Sequence, residues 1–296
     1  MSRVVIVRGN KTLSSGKELN LKVLTRMYEQ GFALLTEQNN PKDSFHCIFP
    51  VQSKIGIKIN TIGGKNISTR PEAALCLANL LAKTHVQDEN IIIWDRTNRE
   101  LKDAGYDLNL SRSGIKILGT DTQSIGYNKN LTAHRNIGSL FSAIQTDLIS
   151  ASISLAILKD HGLAGVTGGM KNYFGAIHNP NKYHDTNCNP YVAEVFDMDI
   201  IKKKHKLTIL DAIIVQYHRG PSYHVKWADT LGTLIFSLDP VAADTAGWTI
   251  IEELRAKKGL PSLKEENREP LYLKTAETLG LGKAEQDKID VLEVDV

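Results

Sequence analysis

The run Leu148–Leu158 (LISASISLAIL) constrains the fold more than any other stretch. It is apolar, rich in β-branched residues and free of charge, so it reads as a buried strand that other elements must cover. It leads straight into Lys159–Asp185 (KDHGLAGVTGGMKNYFGAIHNPNKYHD), a run of histidines, lysines and glycines with neither a helical face nor strand alternation. That run reads as a loop or a loop-to-helix junction. Gly168–Gly169 just before Met170–Asn172 would let N–H groups be aimed at an anion. A glycine-rich surface loop with scattered polar residues accounts for the same letters.

Further strands are expected at Val4–Val7, Ile55–Asn60, Ile91–Trp94, Gly114–Leu118, Leu207–Val215, Gly232–Asp239 and near Ile289–Val294. Helical patterns run from about Lys17 to Ala33, after Thr69-Arg70-Pro71-Glu72, and over Tyr191–Lys204, Val241–Lys258 and Leu271–Leu279. Asn39–Ser44 reads as a turn. Thr69 suits an N-cap, Pro71 the first turn, and Glu72 the positive end of the helix dipole. Strand followed by helix throughout predicts an α/β fold, a mixed or mostly parallel sheet flanked by helices on both faces. The expected organisation is one domain over residues 1–296, with two lobes, 1–195 and 196–296, as the alternative.

Composition narrows the function classes. A formal net charge of +3 and no long basic stripe argue against nucleic acid. Lys202–Lys206 (KKKHK) is either a solvated helix end or a polyanion site. Cys47, Cys76 and Cys188 lie far apart with no CxxC, so neither a ferredoxin-type cluster nor a cysteine zinc finger is encoded locally. The amino-terminal VVIV is too short for a signal-peptide core, and no run of 18 apolar residues occurs. A cytoplasmic, thiol-reduced protein away from membranes is expected.

Several polar residues stand at expected strand ends, where open α/β sheets bind ligands. Lys58 and Asn60 project near the end of Ile55–Asn60. Asp95 follows Ile91–Trp94 and would serve equally as a helix N-cap. Asp211 interrupts LTILDAIIV, a costly position unless it is paired or ligating. Asp239 reads as an N-cap with Pro240 in the first turn, and Asp244 follows in that helix. In the glycine-rich run, His161 would titrate near neutrality and carry protons. Lys171 offers a cation or an amine nucleophile, and Thr167 and Asn172 add hydrogen bonds. His178 and His184 are candidate metal ligands or plain surface histidines.

Through GIKIN (Gly56–Asn60), KDH…GVTGGMKNYFG (Lys159–Gly175), LDAI…GP (Leu210–Pro221) and SLDPVAAD (Ser237–Asp244), the chain resembles the DUF362 family over most of its length. That family is named for its lack of an assigned function. Many members resemble redox-associated proteins, with an export signal or an attached iron–sulfur ferredoxin segment, neither of which is seen here. A weaker similarity is to nickel-dependent lactate racemase, through Thr69–Pro71, Trp94–Arg96, and His161 ahead of Gly168–Lys171. That resemblance implies His161 as acid/base, Lys171 as anchor of a nickel-carrying pyridinium cofactor, and His178 or His184 as metal ligand. The racemase pattern has a histidine where this chain has Asp95-Arg96, leaving an Asp/His pair to move protons.

The resulting expectation is an enzyme that binds a small anionic substrate or cofactor and does isomerase or redox chemistry on a small organic acid. His161, Lys171 and Asp95 would be catalytic. Lys58, Asn60, Thr167, Gly168, Gly169, Asn172, Asp211, Asp239 and Asp244 would bind substrate or cofactor, with a transition metal or metallocofactor as a candidate group. The alternative is a non-catalytic cofactor-binding or redox-adaptor module working with a separate iron–sulfur or flavin partner.

Overall fold

A computed structural model of the chain describes residues 1–14, 18–50, 52–83 and 86–296. The first half carries β1 (Ser2–Arg8), α1 (Leu21–Thr36), α2 (Pro41–Ile48), β2 (Ile55–Ile59), α3 (Pro71–Ala82), β3 (Ile91–Asp95), α4 (Asn98–Asp103) and β4 (Lys116–Gly119). A small hairpin of β5 (Thr132–His134) and β6 (Ile137–Ser139) follows. The second half carries β7 (Ala151–His161), β8 (Gly165–Thr167), α5 (Tyr191–Asp197), α6 (Asp199–Lys202), β9 (His205–Gln216), β10 (Ala228–Ser237), α7 (Pro240–Lys257), α8 (Tyr272–Thr278) and β11 (Ile289–Asp295).

The fold is α/β. Nine strands form one sheet in the order β11-β1-β10-β9-β7-β2-β3-β4, with β8 paired to β7. Only β10 and the short β8 run against the rest. Every residue of β7 is buried, as its sequence demands, and it lies parallel to both β2 and β9. Alternation along each strand splits the core in two. Val5, Val7, Ile57, Leu155 and Ile209 pack with α1, α2 and α3. On the opposite face, Trp94 packs with α5, α6 and α8, while Val4, Ile6, Ala156 and Leu210 meet α7. Each fully buried aliphatic side chain contributes roughly 1.5–3 kcal/mol.

From β2 the chain steps outward to β3 and β4, whereas from β7 it steps the other way to β9. The boundary between β2 and β7 is therefore a topological switch point, and the carboxyl ends of β2, β3 and β7 open at the same side.

Local chemistry departs from the sequence expectation in four places. Asn39–Ser44 is no simple turn: Asn40 Oδ1 caps α2 by accepting from Asp43 N at 2.9 Å, with Pro41 in the first turn. Thr69 does not cap α3. Its hydroxyl donates to Leu155 O at 3.0 Å and accepts from Asn60 N at 3.2 Å, tying β2 to β7. The segment Tyr191–Lys204 is two helices, because Met198 is extended. The run after Leu158 is largely ordered into elements: β7 continues to His161, Gly165 at φ 76° turns the chain into β8, and a 3-10 helix follows over Lys171–Ala176. The expected start of the first helix at Lys17 lies outside the described residues. No helix among them is long and apolar enough to cross a membrane.

Candidate functional site

The end of β2 presents Lys58, 1% exposed. Its ammonium donates to Asp95 Oδ1 at 2.6 Å, Ile59 O at 2.8 Å and Asn172 Oδ1 at 3.1 Å, which uses all three protons. Asp95, closing β3, is equally occupied. Its Oδ1 also accepts from Arg96 N at 2.8 Å, and its Oδ2 accepts from Thr61 N at 2.8 Å and Thr61 Oγ1 at 2.5 Å. Asn172 completes the cluster by donating to Lys58 O and Ser154 Oγ. This is a fully satisfied buried ion pair that leaves Asp95 no free lone pair for a ligand proton.

Two other lysines in the pocket have no carboxylate partner among the described residues. Lys159, also 1% exposed, donates to the carbonyls of Ile62 and Ile67, the latter at 3.1 Å. Burial pulls its pKa down to about 7; the nearby Asp95 charge resists this and the Lys171 charge adds to it. Lys171 sits on the 3-10 helix after β8, 3.4 Å from His184 Nε2 and 4.6 Å from the centre of the Phe174 ring. Burial lowers it to about 8, with Cys188 opposing.

The two histidines beside these amines hold complementary tautomers, assigned from their partners. His161 Nδ1 accepts from Leu163 N at 3.2 Å and Ala164 N at 3.1 Å, so the proton of the neutral ring sits on Nε2. His184 Nδ1 lies 3.0 Å from Pro180 O and donates to it, leaving a lone pair on Nε2 that faces Lys171. The rings stack at 5.7 Å and 27°. His161 does not titrate near neutrality: burial, then the charges of Lys171, His184, Lys159 and Arg268, lower it to about 2. His184 is lowered too, by burial and then by Lys171.

These groups line one cavity of about 240 Å³ at the switch point. It brings together Lys58, Asn60, Asp95, Lys159, His161, Thr167, Lys171, Asn172 and His184. Asn60 Oδ1 and Thr167 Oγ1 are buried there without a hydrogen-bond partner among the described residues. A larger hollow of about 660 Å³ flanks β4 with Lys54, Glu89 and Lys116, but holds none of the histidines. The histidines and the lysines with lowered pKa values gather in the smaller one.

Other sequence candidates are placed elsewhere. The glycine-rich loop does aim N–H groups at an anion, but the anion is the chain's own: Gly169 N donates to Asp244 Oδ1 at 2.6 Å and Met170 N to Oδ2 at 3.0 Å. A Cβ on Gly168 would stand 2.4 Å from Asp244 Oδ1, so this approach requires glycine. Burial pushes Asp244 up to about 7 against those two donors. Asp239 caps α7 through Val241 N and Ala242 N and accepts from Ser2 Oγ and Lys283 N. Asp211 lies on the face of β9 shared with Ile209 and Ile213, where Oδ1 accepts from Ile213 N and Oδ2 has no partner. His178 is exposed, edge-on to Tyr127 at 5.0 Å, and outside the cavity.

Among the described residues, no group of three or more His, Cys, Asp or Glu is arranged to hold a metal. His184 Nε2 offers a lone pair, whereas His161 Nε2 carries its proton, so these two side chains do not form a ligand pair. Lys159 was not singled out in the sequence. Its signal is two-residue spacing from His161, which places both on one face once β7 is extended to include them.

No curated protein matches this chain. One solved structure that this chain matches is the crystal structure of a Thermotoga maritima protein determined as a structural-genomics target, at 10% identity and a TM-score of 0.47, over 82% of this chain and 60% of that one. The family described as a domain of unknown function, DUF362, matches residues 55–249, a span that contains every residue lining the small cavity together with Asp244. The chain belongs to the DUF362 family.

Proposed function

We propose that the protein is an enzyme that binds a small organic acid between β2 and β7 and moves a proton on it. The observation that carries this reading is the stacked pair His161 and His184, one presenting Nε2–H and the other an unprotonated Nε2 that faces Lys171, beside two buried amines. Lys159 and Lys171 bind the acid's charge. His184 Nε2 takes a proton from the carbon next to the carboxylate, and His161 Nε2–H donates to the oxygen on which negative charge develops. A neutral imidazole serves that second role well, because it polarises an oxygen without first losing a proton to it. Thr167 Oγ1 and Asn60 Oδ1 supply the remaining hydrogen-bond positions. Returning the proton to the opposite face, or to a neighbouring carbon, completes an isomerisation without a change of oxidation state.

Bound anion also helps the histidines. Lys171 and Lys159 are among the causes that depress His161, so neutralising them eases proton uptake by the imidazole pair.

The test is hydrogen exchange at carbon. Small hydroxy and oxo acids incubated with the protein in D2O should lose their carbon-bound proton signal by NMR. His184→Gln should slow this by about 10²–10⁴-fold with binding retained. Binding without any exchange across the panel would replace the enzyme reading with that of a carrier.

A further inference from the structure

The two amines also indicate how much charge the ligand carries. Lys58 is neutralised by Asp95, and Arg96 is paired with Glu100. Lys159 and Lys171 make no ion pair among the described residues. Lys159 spends two donors on carbonyls and Lys171 one on an imidazole, so each protonated amine keeps at least one N–H for a ligand. Among the described residues Asp95 is the one carboxylate lining the cavity, and its oxygens are filled. The protein thus encloses two ammonium positions and, among the described residues, gives neither an ion-pair partner; the Asp95 charge reaches Lys159 only through space.

The shape of the donor set separates the candidate dianions. A phosphate group is typically cradled by successive backbone N–H groups at a loop or helix start. The loop best suited to this gives its N–H groups at 169 and 170 to Asp244 instead. What remains for a ligand is two separate side-chain amines, the Nε2–H of His161 and the hydroxyl of Thr167. The cavity of about 240 Å³ has room for roughly eight water-sized groups.

Resting on the reading of this cavity as an anion site, we propose that its ligand is a small dicarboxylate, one carboxylate on Lys159 and the other on Lys171. The groups facing these amines are Lys58 with its partner Asp95, His161, His184 and, behind Lys171, Cys188. None of them supplies an available negative charge at neutral pH, since Asp95 is already paired and burial raises the Cys188 pKa. Filling both positions restores both amines to the ammonium form, so binding takes up protons.

The experiment is calorimetric titration of the full chain at pH 8 with succinate, with butyrate as the four-carbon monoanion, and with inorganic phosphate, each in two buffers of different ionisation enthalpy. Succinate should bind about tenfold or more tighter than butyrate and take up roughly one proton or more per ligand. Lys159→Met and Lys171→Met should each bring succinate down to the level of butyrate, and the wild-type ratio stands as a test whether or not either variant folds. Equal affinity for succinate and butyrate, tighter binding of phosphate, or no proton uptake would each overturn the dicarboxylate assignment while leaving an anion site. Failure of all three ligands to bind would remove both the assignment and the anion site on which it rests.

Discussion

Lys58 and Lys159 occupy neighbouring strands, at the same end of the sheet, and each is 1% exposed. Yet they are opposites. Lys58 meets a carboxylate at 2.6 Å and two further acceptors. Lys159 meets only carbonyls, faces a second lysine, and has its pKa drawn down to about 7. The contrast separates architecture from function. On the reading proposed above, a buried charge matched within the chain fastens strands together, whereas two without an ion pair around a cavity are positioned for a ligand.

The largest effect that tests this contrast is at Asp95. Asp95→Ala strands the Lys58 ammonium in the interior and should cost about 3–5 kcal/mol, read as a lower urea midpoint. A loss below about 1 kcal/mol would mean that the pair does not fasten β2 to β3. Next is Asp244→Ala, which leaves the N–H groups of Gly169 and Met170 without an acceptor and should cost about 2–3 kcal/mol. It should also weaken ligand binding indirectly, because those donors hold the loop that carries Lys171. Unchanged stability would make that carboxylate dispensable.

A third effect is in pH. Both amines have folded pKa values, about 7 and about 8, below the ordinary lysine value of 10.5. Between these limits the unfolded chain binds more protons, so the contribution of this pair to stability rises as pH increases from about 7 towards 10.5. Lys159→Met should flatten that rise and, at pH 7, leave stability equal or slightly higher. Thermal melts across pH 7–10 check both. A variant that melts lower than wild type throughout would show that Lys159 is architectural like Lys58.

Much of this arrangement was legible in the letters, and the parts that were not have physical reasons. Lys58, Asn60 and Asp95 were found because short apolar runs locate strand ends, and strand ends on one side of a parallel sheet converge. His161 and Lys171 were found because a glycine-rich stretch follows the most apolar strand. The partner of that stretch was hidden. Gly169 and Asp244 are 75 residues apart, and no local pattern shows that a backbone donor will meet a carboxylate on a later helix. The state of His161 was hidden for another reason. A sequence supplies the ordinary imidazole pKa, while burial beside two cations is a property of the assembled pocket. Lys159 was overlooked because the strand was ended at Leu158, three residues before the end of β7, and the residues beyond that end then lost their face.

Asp211 provides the smallest effect and the sharpest control. Like Lys159 it is buried with no ion pair among the described residues: Oδ2 lacks a hydrogen-bond partner there, and burial pushes its pKa up to about 6 against the Ile213 N–H and the Arg70 charge. Unlike Lys159 it faces packed side chains and does not line the cavity. If lack of a partner alone marked a binding group, Asp211 would be one. The contrast instead requires a cavity as well, so Asp211→Asn should leave succinate affinity unchanged. A carboxyl whose folded pKa is raised contributes stability below its unfolded value, near 3.8, and loses it as pH climbs through about 6. Relative to wild type, Asp211→Asn should therefore gain stability between pH 4 and pH 7, ending within about 1 kcal/mol above it. Urea titrations at the two pH values measure that gain. A fall in succinate binding in this variant would break the rule that an unmatched buried charge needs a cavity beside it to be a site.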